Sequence, residues 1–246
     1  MKLSFVIPAY NEENYIGKCL ESISRETKGK NYDVEVIVVN NASVDKTKEV
    51  ASSFGGVIVV DEMKKGLVSA RKAGFHAATG DLIANIDSDT ILTPGWIDKV
   101  MREFSRNGKL VGLSGPFIYY DLSPSVNFWV RIWYAFGFVS YIFNRYVFKI
   151  SSMLQGGNFV IKKDAFEQVG GYNNSFDFWG EDTDVARRLH KVGEVKFTFK
   201  LPIYASGRRL QAEGIFSSAV KYTVNYVWTL FFKKPFNKTF TDIRFK

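Results

Sequence analysis

The sequence has a single cysteine, Cys19, and only two histidines, His76 and His190. One cysteine excludes an internal disulfide framework and fits a reducing, cytoplasmic setting. Cys19 lies beside Leu20 and Ile23 on a helix-spaced apolar face, so it reads as a buried structural thiol rather than a nucleophile. Both histidines fall on expected helices and read as structural. Long apolar runs are also missing. The nearest, Ile132 to Phe143, is bounded by Arg131 and Arg145 and falls short of the roughly 18 residues of a spanning helix. The apolar stretch Leu3 to Ile7 after Lys2 stops at Pro8, too soon for a secretion signal. The first strand runs into Pro8-Ala9-Tyr10-Asn11-Glu12-Glu13, which contains no glycine and so excludes a dinucleotide-binding Gly-x-Gly-x-x-Gly turn. No internal repeat and no low-complexity linker is present.

What is there describes a folded domain. Hydrophobic residues make up 46% of 246 and charged residues 24%, enough apolar surface for a large core and too little charge for disorder. Aromatics reach 16% and crowd into the second half. A net charge of +8 points to an anionic partner: a phosphorylated ligand, a membrane surface or nucleic acid. Basic residues are scattered and no nucleic-acid motif occurs, so nucleic acid is not expected.

The first half alternates between two periods. Strands are expected at Leu3–Pro8, Val34–Val39, Val57–Val60 and Leu82–Ile86, and helices at Glu12–Arg25, Asp45–Phe54, Gly66–Ala78 and Gly95–Phe104. The continuous β-branched run Val34–Val39 suits a parallel strand covered on both faces. The expected fold class is therefore α/β, a Rossmann-like, mostly parallel central sheet flanked by helices. After a strand at Leu110–Ser114 the pattern changes to an aromatic helix over Val126–Phe148. Further expectations are strands at Phe159–Ile161, Val195–Phe199 and Ile203–Ala205, a helix at Val185–Lys191 and an aromatic helix over Gly214–Phe232. One continuous domain, 1–246, is expected, with a nucleotide-binding half (1–115) and an acceptor half (116–246).

Ligands of such sheets gather at the carboxyl ends of the strands. Three segments end there: Pro8 to Asn11, Asn40-Asn41-Ala42-Ser43 and Asp87-Ser88-Asp89. Two aspartates one residue apart at a strand end offer hard oxygen ligands to Mg²⁺ or Mn²⁺, which can neutralise a diphosphate.

Taken in order, the segments Phe5–Glu13, Val38–Asp45, Gly66-Leu67, Ala70–Gly74, Asp87-Ser88-Asp89, Gly157-Asn158, Gly170-Gly171-Tyr172 and Gly180–Asp184 resemble the inverting family 2 glycosyltransferases of the GT-A fold. The resemblance covers residues 1 to about 210. It implies direct displacement at the anomeric carbon of a nucleotide-diphospho-sugar. By this resemblance Asp87 and Asp89 hold the metal, and Asp87 with Ser88 also reaches the donor. Asp182 is the general base, with Glu181 as the competing candidate; without the resemblance, Asp182 and Asp184 read as helix caps. Asp182 is expected to keep a near-normal pKa and to sit just before its helix.

Pro8, Ala9, Tyr10 and Glu12 with Asn41 would hold the nucleoside, Tyr10 stacking and Asn41 bonding the base edge. Relatives carry Asp-Asp-Gly-Ser where this chain has Asn40-Asn41-Ala42-Ser43. UDP stays the default carrier, with GDP and dTDP open. Arg71 is expected at the diphosphate or base, or else as a solvated helix charge, and Arg208-Arg209 as a late phosphate clamp. Gly157, Asn158 and Trp179 are expected on the acceptor side. The histidine that many relatives use as an extra metal ligand is missing from Tyr204-Ala205-Ser206-Gly207, and Gln211-Ala212-Glu213-Gly214 does not match the Gln-x-x-Arg-Trp of processive synthases. Single-sugar transfer to a glycan or lipid-linked acceptor follows. The alternatives are a prenyl-phosphate sugar synthase and a non-catalytic nucleotide-sugar binder.

The stripe Phe128, Trp129, Ile132, Trp133, Phe136, Val139, Phe143 and Val147 gives the aromatic helix a broad apolar face. One reading is an interfacial helix at the inner face of the cell membrane, helped by Phe232-Lys233-Lys234-Pro235 and Lys238. The other is core packing or a homodimer face.

Overall fold

A computed structural model describes residues 1–147, 153–237 and 242; Phe148 and Lys238 lie outside them. The fold is mixed α/β. The strands β1 (Leu3–Ala9), β2 (Val34–Asn40), β3 (Val57–Asp61), β4 (Leu82–Ile86), β6 (Leu110–Ser114), β8 (Asn158–Lys162) and β9 (Glu194–Phe197) form one sheet in the order β3-β2-β1-β4-β8-β6-β9. Only β8 runs antiparallel to its neighbours β4 and β6. A small second sheet joins β5 (Thr90–Leu92), β10 (Ile203–Ala205) and β7 (Phe117–Tyr119). β5 was not expected from the sequence, because three residues are too few for a period to register.

The sheet is buried on both faces. One side packs β1 and β4 residues such as Phe5, Ile7 and Ala84 on α1 (Ile16–Thr27) and α4 (Trp96–Arg106). The other packs Val6, Val39 and Ile83 on α3 (Leu67–Ala77), α6 (Lys163–Gln168) and α7 (Glu181–Leu189). Gly74 lets α3 press onto the sheet, since a Cβ there would overlap Val6 and Val39. Cys19 is buried as expected, and burial pushes its thiol up to about 12.

Two helices start elsewhere than the sequence suggests. α1 begins at Ile16 rather than Glu12, because loop partners take the amide hydrogens that a helix start would leave open. Asn11 N donates to Ser43 Oγ (3.1 Å), Glu12 N to Thr47 Oγ1 (2.7 Å) and Glu13 N to Asp45 Oδ2 (3.2 Å). In return Asn11 Oδ1 accepts from Val44 N and Glu13 Oε2 from Lys46 N, both at 2.9 Å. The first two loops are thereby laced together, and α2 (Thr47–Ser52) starts only after them. α7 begins at Glu181, four residues earlier than Val185, because Gly180 adopts a left-handed turn (φ 75°) that starts the helix there.

The aromatic helices are α5 (Pro124–Ile142), continued by a π-helical turn over Phe143–Val147, and α9 (Ile215–Phe232), preceded by α8 (Arg208–Glu213). Ser123 caps α5, its Oγ accepting from Val126 N, with Pro124 in the first turn. Among the described residues no helix is long and apolar enough to cross a membrane.

Candidate active site

The parallel strands β1, β2 and β4 deliver their loops to one edge of the sheet, as the sequence reading required. Pro8, Ala9, Tyr10 and Asn41 line a cleft of about 60 Å³ together with Lys65, Gly66, Leu67, Ala70 and Phe178. Asn41 does not present its amide to this cleft as a free base-reading group. Its Nδ2 donates to Glu62 O (2.9 Å) and Lys64 O (2.8 Å), and its Oδ1 accepts from Gly66 N (2.8 Å). This amide thus shapes the 62–66 loop, a use only an amide can serve with both donors and an acceptor. Lys65 Nζ lies 2.6 Å from Tyr10 Oη and 3.8 Å from its ring centre, so this cation shares the cleft with Tyr10. Lys65 and Phe178 were not legible in the sequence.

Arg71 is the largest departure from expectation. It is neither a solvated helix charge nor open to a ligand but 1% exposed. Its guanidinium forks to two carboxylates: Nη2 donates to Asp87 Oδ1 at 3.1 Å, and Nη1 pairs with Glu181 Oε1. The ring of Phe159 lies 5.4 Å beneath it. Glu181 is buried with it, which ties that carboxylate to a structural ion pair and separates its role from that of Asp182. The signal for Arg71 was available: Val68, Arg71 and Phe75 share one face of α3, so a charge there needs a buried partner.

Asp87 and Asp182 approach one backbone turn from different elements. Gly157 (φ 82°) lies so close to Asp87 that a Cβ would overlap the carboxylate. Next to it, Gly156 N donates to Asp182 Oδ2 at 2.9 Å. Asp182 Oδ1 also accepts from Thr183 N at 2.7 Å. Burial raises the pKa of Asp182, while these two amides and the charge of Arg71 pull the other way. The pKa is therefore above the ordinary aspartate value rather than near it, because the first turn of α7 is buried instead of solvated.

Asp89 sits across the crevice against Arg208, the first residue of α8. Arg208 Nη2 reaches Asp89 Oδ2 at 3.1 Å and Glu12 Oε1 at 2.5 Å, and its guanidinium lies 4.4 Å over the Tyr15 ring. Asp121 sets that position by accepting from Ser206 Oγ and Gly207 N, both at 2.6 Å. Burial lifts Asp89 to about 6; Arg208 opposes the rise and Asp87 adds to it. Arg209 turns away, pairing with Glu213 Oε1 (2.8 Å) and stacking over Phe178. Glu12 therefore anchors Arg208, and Ser88 is buried within its turn.

The remaining acceptor-side residues separate. Asn158 is fully buried and ties strands together: its Nδ2 donates to Gly115 O and Leu201 O (both 3.0 Å), and its Oδ1 accepts from Trp96 Nε1 (3.2 Å). Trp179 packs on Phe178 and Tyr222 and lines a second cavity of about 220 Å³ with Ser175, Asp177, Lys234, Pro235 and Asn237. Phe178 borders both cavities.

The donor set suits a hard cation only in part. Among the described residues no group of three or more His, Cys, Asp or Glu could hold a metal ion alone. Asp87 and Asp89 supply two carboxylates, Asp87 being 36% exposed and Asp89 raised by burial and by the neighbouring charge of Asp87. A Mg²⁺-type ion takes one or two carboxylates and completes its shell with substrate phosphates and water, so the pair fits a site that the diphosphate finishes.

Comparison with known proteins gives one consistent family. The family model "Glycosyl transferase family 2" matches residues 4–170, and a second, "N-terminal domain of galactosyltransferase", matches residues 140–211. Glycosyltransferase AglE of Haloferax volcanii is 33% identical over 48% of this chain and 40% of its own length. The Glucosyl-dolichyl phosphate glucuronosyltransferase of the same organism is 25% identical over 71% of this chain and 57% of its own. The match thus spans less than two thirds of these relatives. Among solved structures, S. aureus TarS 1-349 superimposes with a TM-score of 0.65 at 15% identity, over 93% of this chain and 72% of that one. A Pyrobaculum calidifontis mannosyltransferase, PcManGT, in complex with GDP-Man and Mn²⁺, gives 0.64 at 16%, over 89% and 64%. The shared architecture is the GT-A fold.

Proposed function

The chain belongs to glycosyl transferase family 2, and from that premise we propose that it transfers a single sugar, with inversion, from a nucleotide-diphospho-sugar to a hydroxyl of a glycan or lipid-linked acceptor. The observation that carries this reading is the Gly156-Gly157 turn, whose second glycine lies against Asp87 and whose first donates its amide to Asp182. A sugar lying over that turn meets both the carboxylate assigned to the diphosphate side and a proton acceptor. The donor nucleoside enters the cleft of Pro8, Ala9, Tyr10 and Lys65, with a UDP-sugar as first choice. Residues 1–115 form most of the donor side and 116–246 the acceptor side, with Phe178 and Arg208 reaching back to the donor.

In the reaction, the acceptor oxygen forms a bond to the anomeric carbon as the bond from that carbon to the diphosphate oxygen breaks. Asp182 takes the hydroxyl proton; its raised pKa makes it a stronger base than an ordinary aspartate. Attack from the face opposite the diphosphate inverts the anomeric centre. Arg208 neutralises charge beside Asp89 and can follow it onto the phosphate oxygens. Asp87 and Asp89 would hold Mg²⁺ or Mn²⁺, which would supply positive charge beside the diphosphate. Arg71 fixes the Asp87 carboxylate and keeps Glu181 out of the proton transfer.

The deciding experiment is a screen of UDP-, GDP- and dTDP-sugars with Mg²⁺ or Mn²⁺, measuring binding and slow donor hydrolysis. One nucleotide series binding with metal-enhanced affinity and releasing a sugar of inverted configuration supports the reading. Binding without hydrolysis or transfer under any metal identifies a nucleotide-sugar binder instead. Transfer to a prenyl phosphate that is indifferent to Asp182→Asn identifies a prenyl-phosphate sugar synthase.

A further inference from the structure

α9 is built inside out. Its buried residues are Ser218, Asn225 and Thr229, while Phe216 (83% exposed), Val220, Val227 and Phe231 (66%) stand in solvent. A helix on a water-facing surface shows the reverse arrangement. The buried polar residues have fixed roles. Asn225 accepts from Phe236 N (3.2 Å) and Asn237 N (3.0 Å), folding the chain back after the helix. Thr229 packs against Gly180, where any side chain would collide with it. Small polar groups thus face inward, and Phe216, Phe231 and Phe232 lie outside.

α5 shows the same bias. Along its 19 residues only Tyr141 is buried, whereas Trp129 (64% exposed), Trp133 and Phe136 (70%) project outward, continued by Phe143 and Val147. These positions recur at three- and four-residue intervals, forming one stripe. The two elements meet where Asn144 Nδ2 donates to Tyr226 Oη at 3.1 Å.

Charge decides what covers these faces. No carboxylate occurs between Asp121 and Asp164, nor between Glu213 and Asp242. The exposed charges on the two helices and on the two residues after α9 are Arg131, Lys233 and Lys234, all positive; the exposed acids nearest them, Asp121 and Asp177, lie outside both helices. A second copy of the chain seated on this face would bring only further cations from these segments, with no acid from either segment to offset them. We propose that α5 and α9 form a docking face for an anionic lipid bilayer, the aromatic rings lying at headgroup depth and Arg131, Lys233 and Lys234 against lipid phosphates. With no spanning helix among the described residues, the contact is peripheral. It also gives the sugar-transfer reading a lipid-linked acceptor, the part that rests on that reading: α9 packs through Thr229 on Gly180, the residue that starts the helix carrying Asp182.

The test is co-sedimentation of the full chain with phosphatidylcholine vesicles, with and without phosphatidylglycerol, in the absence of any nucleotide sugar. Failure would therefore leave the transferase reading untouched. Anionic vesicles should bind the chain roughly tenfold or more tightly than neutral ones, with the difference shrinking as salt rises. The emission of Trp129 and Trp133 should shift to shorter wavelength on binding. The double variant Phe136→Ser/Phe231→Ser should lose roughly 100-fold in vesicle affinity with unchanged circular dichroism and nucleotide binding. No sedimentation with either vesicle would overturn the proposal. So would a dimer in light scattering that the same two substitutions convert to monomer, which would assign the face to a second copy.

Discussion

A single nitrogen of Arg208 serves two acids, reaching Asp89 at 3.1 Å and Glu12 at 2.5 Å. Loop 1, the end of β4 and the start of α8 are thereby joined at the point where negative charge must leave with the nucleotide. Arg208→Gln removes a preorganised positive group from the leaving-group side, so kcat should fall roughly 100-fold. Arg208→Lys should recover only part of the loss, because an ammonium keeps the charge but not the planar group that lies over the Tyr15 ring. Steady-state transfer or hydrolysis rates check this; unchanged kcat in Arg208→Gln would remove Arg208 from the reaction.

Asp182 predicts both a loss and a pH limb. Asp182→Asn should reduce transfer at least ~1000-fold and leave nucleotide-sugar affinity within a few-fold. The base works deprotonated, and burial raises its pKa. The acidic limb of kcat/KM should therefore lie above the ordinary aspartate range, with activity falling as pH drops through it. A limb at or below the usual aspartate value would contradict the burial seen here.

Glu181 should behave differently although it is the adjacent residue. Its partner Arg71 is 1% exposed, and the pair has no water to fall back on. Losing the Glu181 charge leaves Asp87 as the remaining partner of buried Arg71, so Glu181→Gln should cost about 2 kcal/mol in stability, the loss of one hydrogen bond to a charged group. Urea unfolding measures that loss. Activity per folded molecule should fall far less than in Asp182→Asn; an equal fall would make Glu181 a second base.

The donor half was legible because its chemistry is local: a strand, a loop rich in side-chain caps, then a helix. Pro8, Ala9, Tyr10 and Asn41 do line one cleft; Asp87 pairs with Arg71 and Asp89 with Arg208. What stayed hidden depends on long-range contacts. Asn158 was placed with the acceptor, yet it is a strand tie whose partners Gly115, Leu201 and Trp96 come from three other parts of the chain. Phe178 borders both cavities but sits in an irregular stretch with no period to read. Periodicity marked α5 and α9 as apolar-faced without showing which way the faces point, since burial is a tertiary property.

Glu35 links acid stability to the first two strands and the turn after α3. Its carboxylate accepts from Ser4 Oγ, from Thr79 N (2.5 Å) and Oγ1 (2.8 Å), and pairs with Lys2 Nζ (3.1 Å). Burial alone would raise its pKa, but these donors bring it down to about 2. A depressed folded-state pKa contributes stability above the unfolded value of roughly 4.3 and loses it as pH falls towards 2. Glu35→Gln should cost about 1–2 kcal/mol at pH 7, and wild type and variant should converge near pH 2. A difference that persists there would assign the effect to packing rather than charge.

Gly157 offers the sharpest test of the crevice geometry. Its φ of 82° is strained for any residue with a side chain, and a Cβ would occupy the space of the Asp87 carboxylate. In Gly157→Ala either the turn or Asp87 must move. Moving Asp87 breaks its 3.1 Å bond to Arg71 and shifts one of the two carboxylates that face the diphosphate. Donor affinity should fall roughly 10- to 100-fold, and metal should enhance nucleotide binding less than in wild type. Gly156→Ala is the matched control. Its Cβ would lie 3.2 Å from Asp182 Oδ2, a tight contact beside the base rather than beside the leaving group. That variant should therefore slow transfer while sparing nucleotide binding. Titration of nucleotide with and without Mn²⁺ separates the two, and an identical effect of both substitutions on binding would show that the turn acts only as a structural unit.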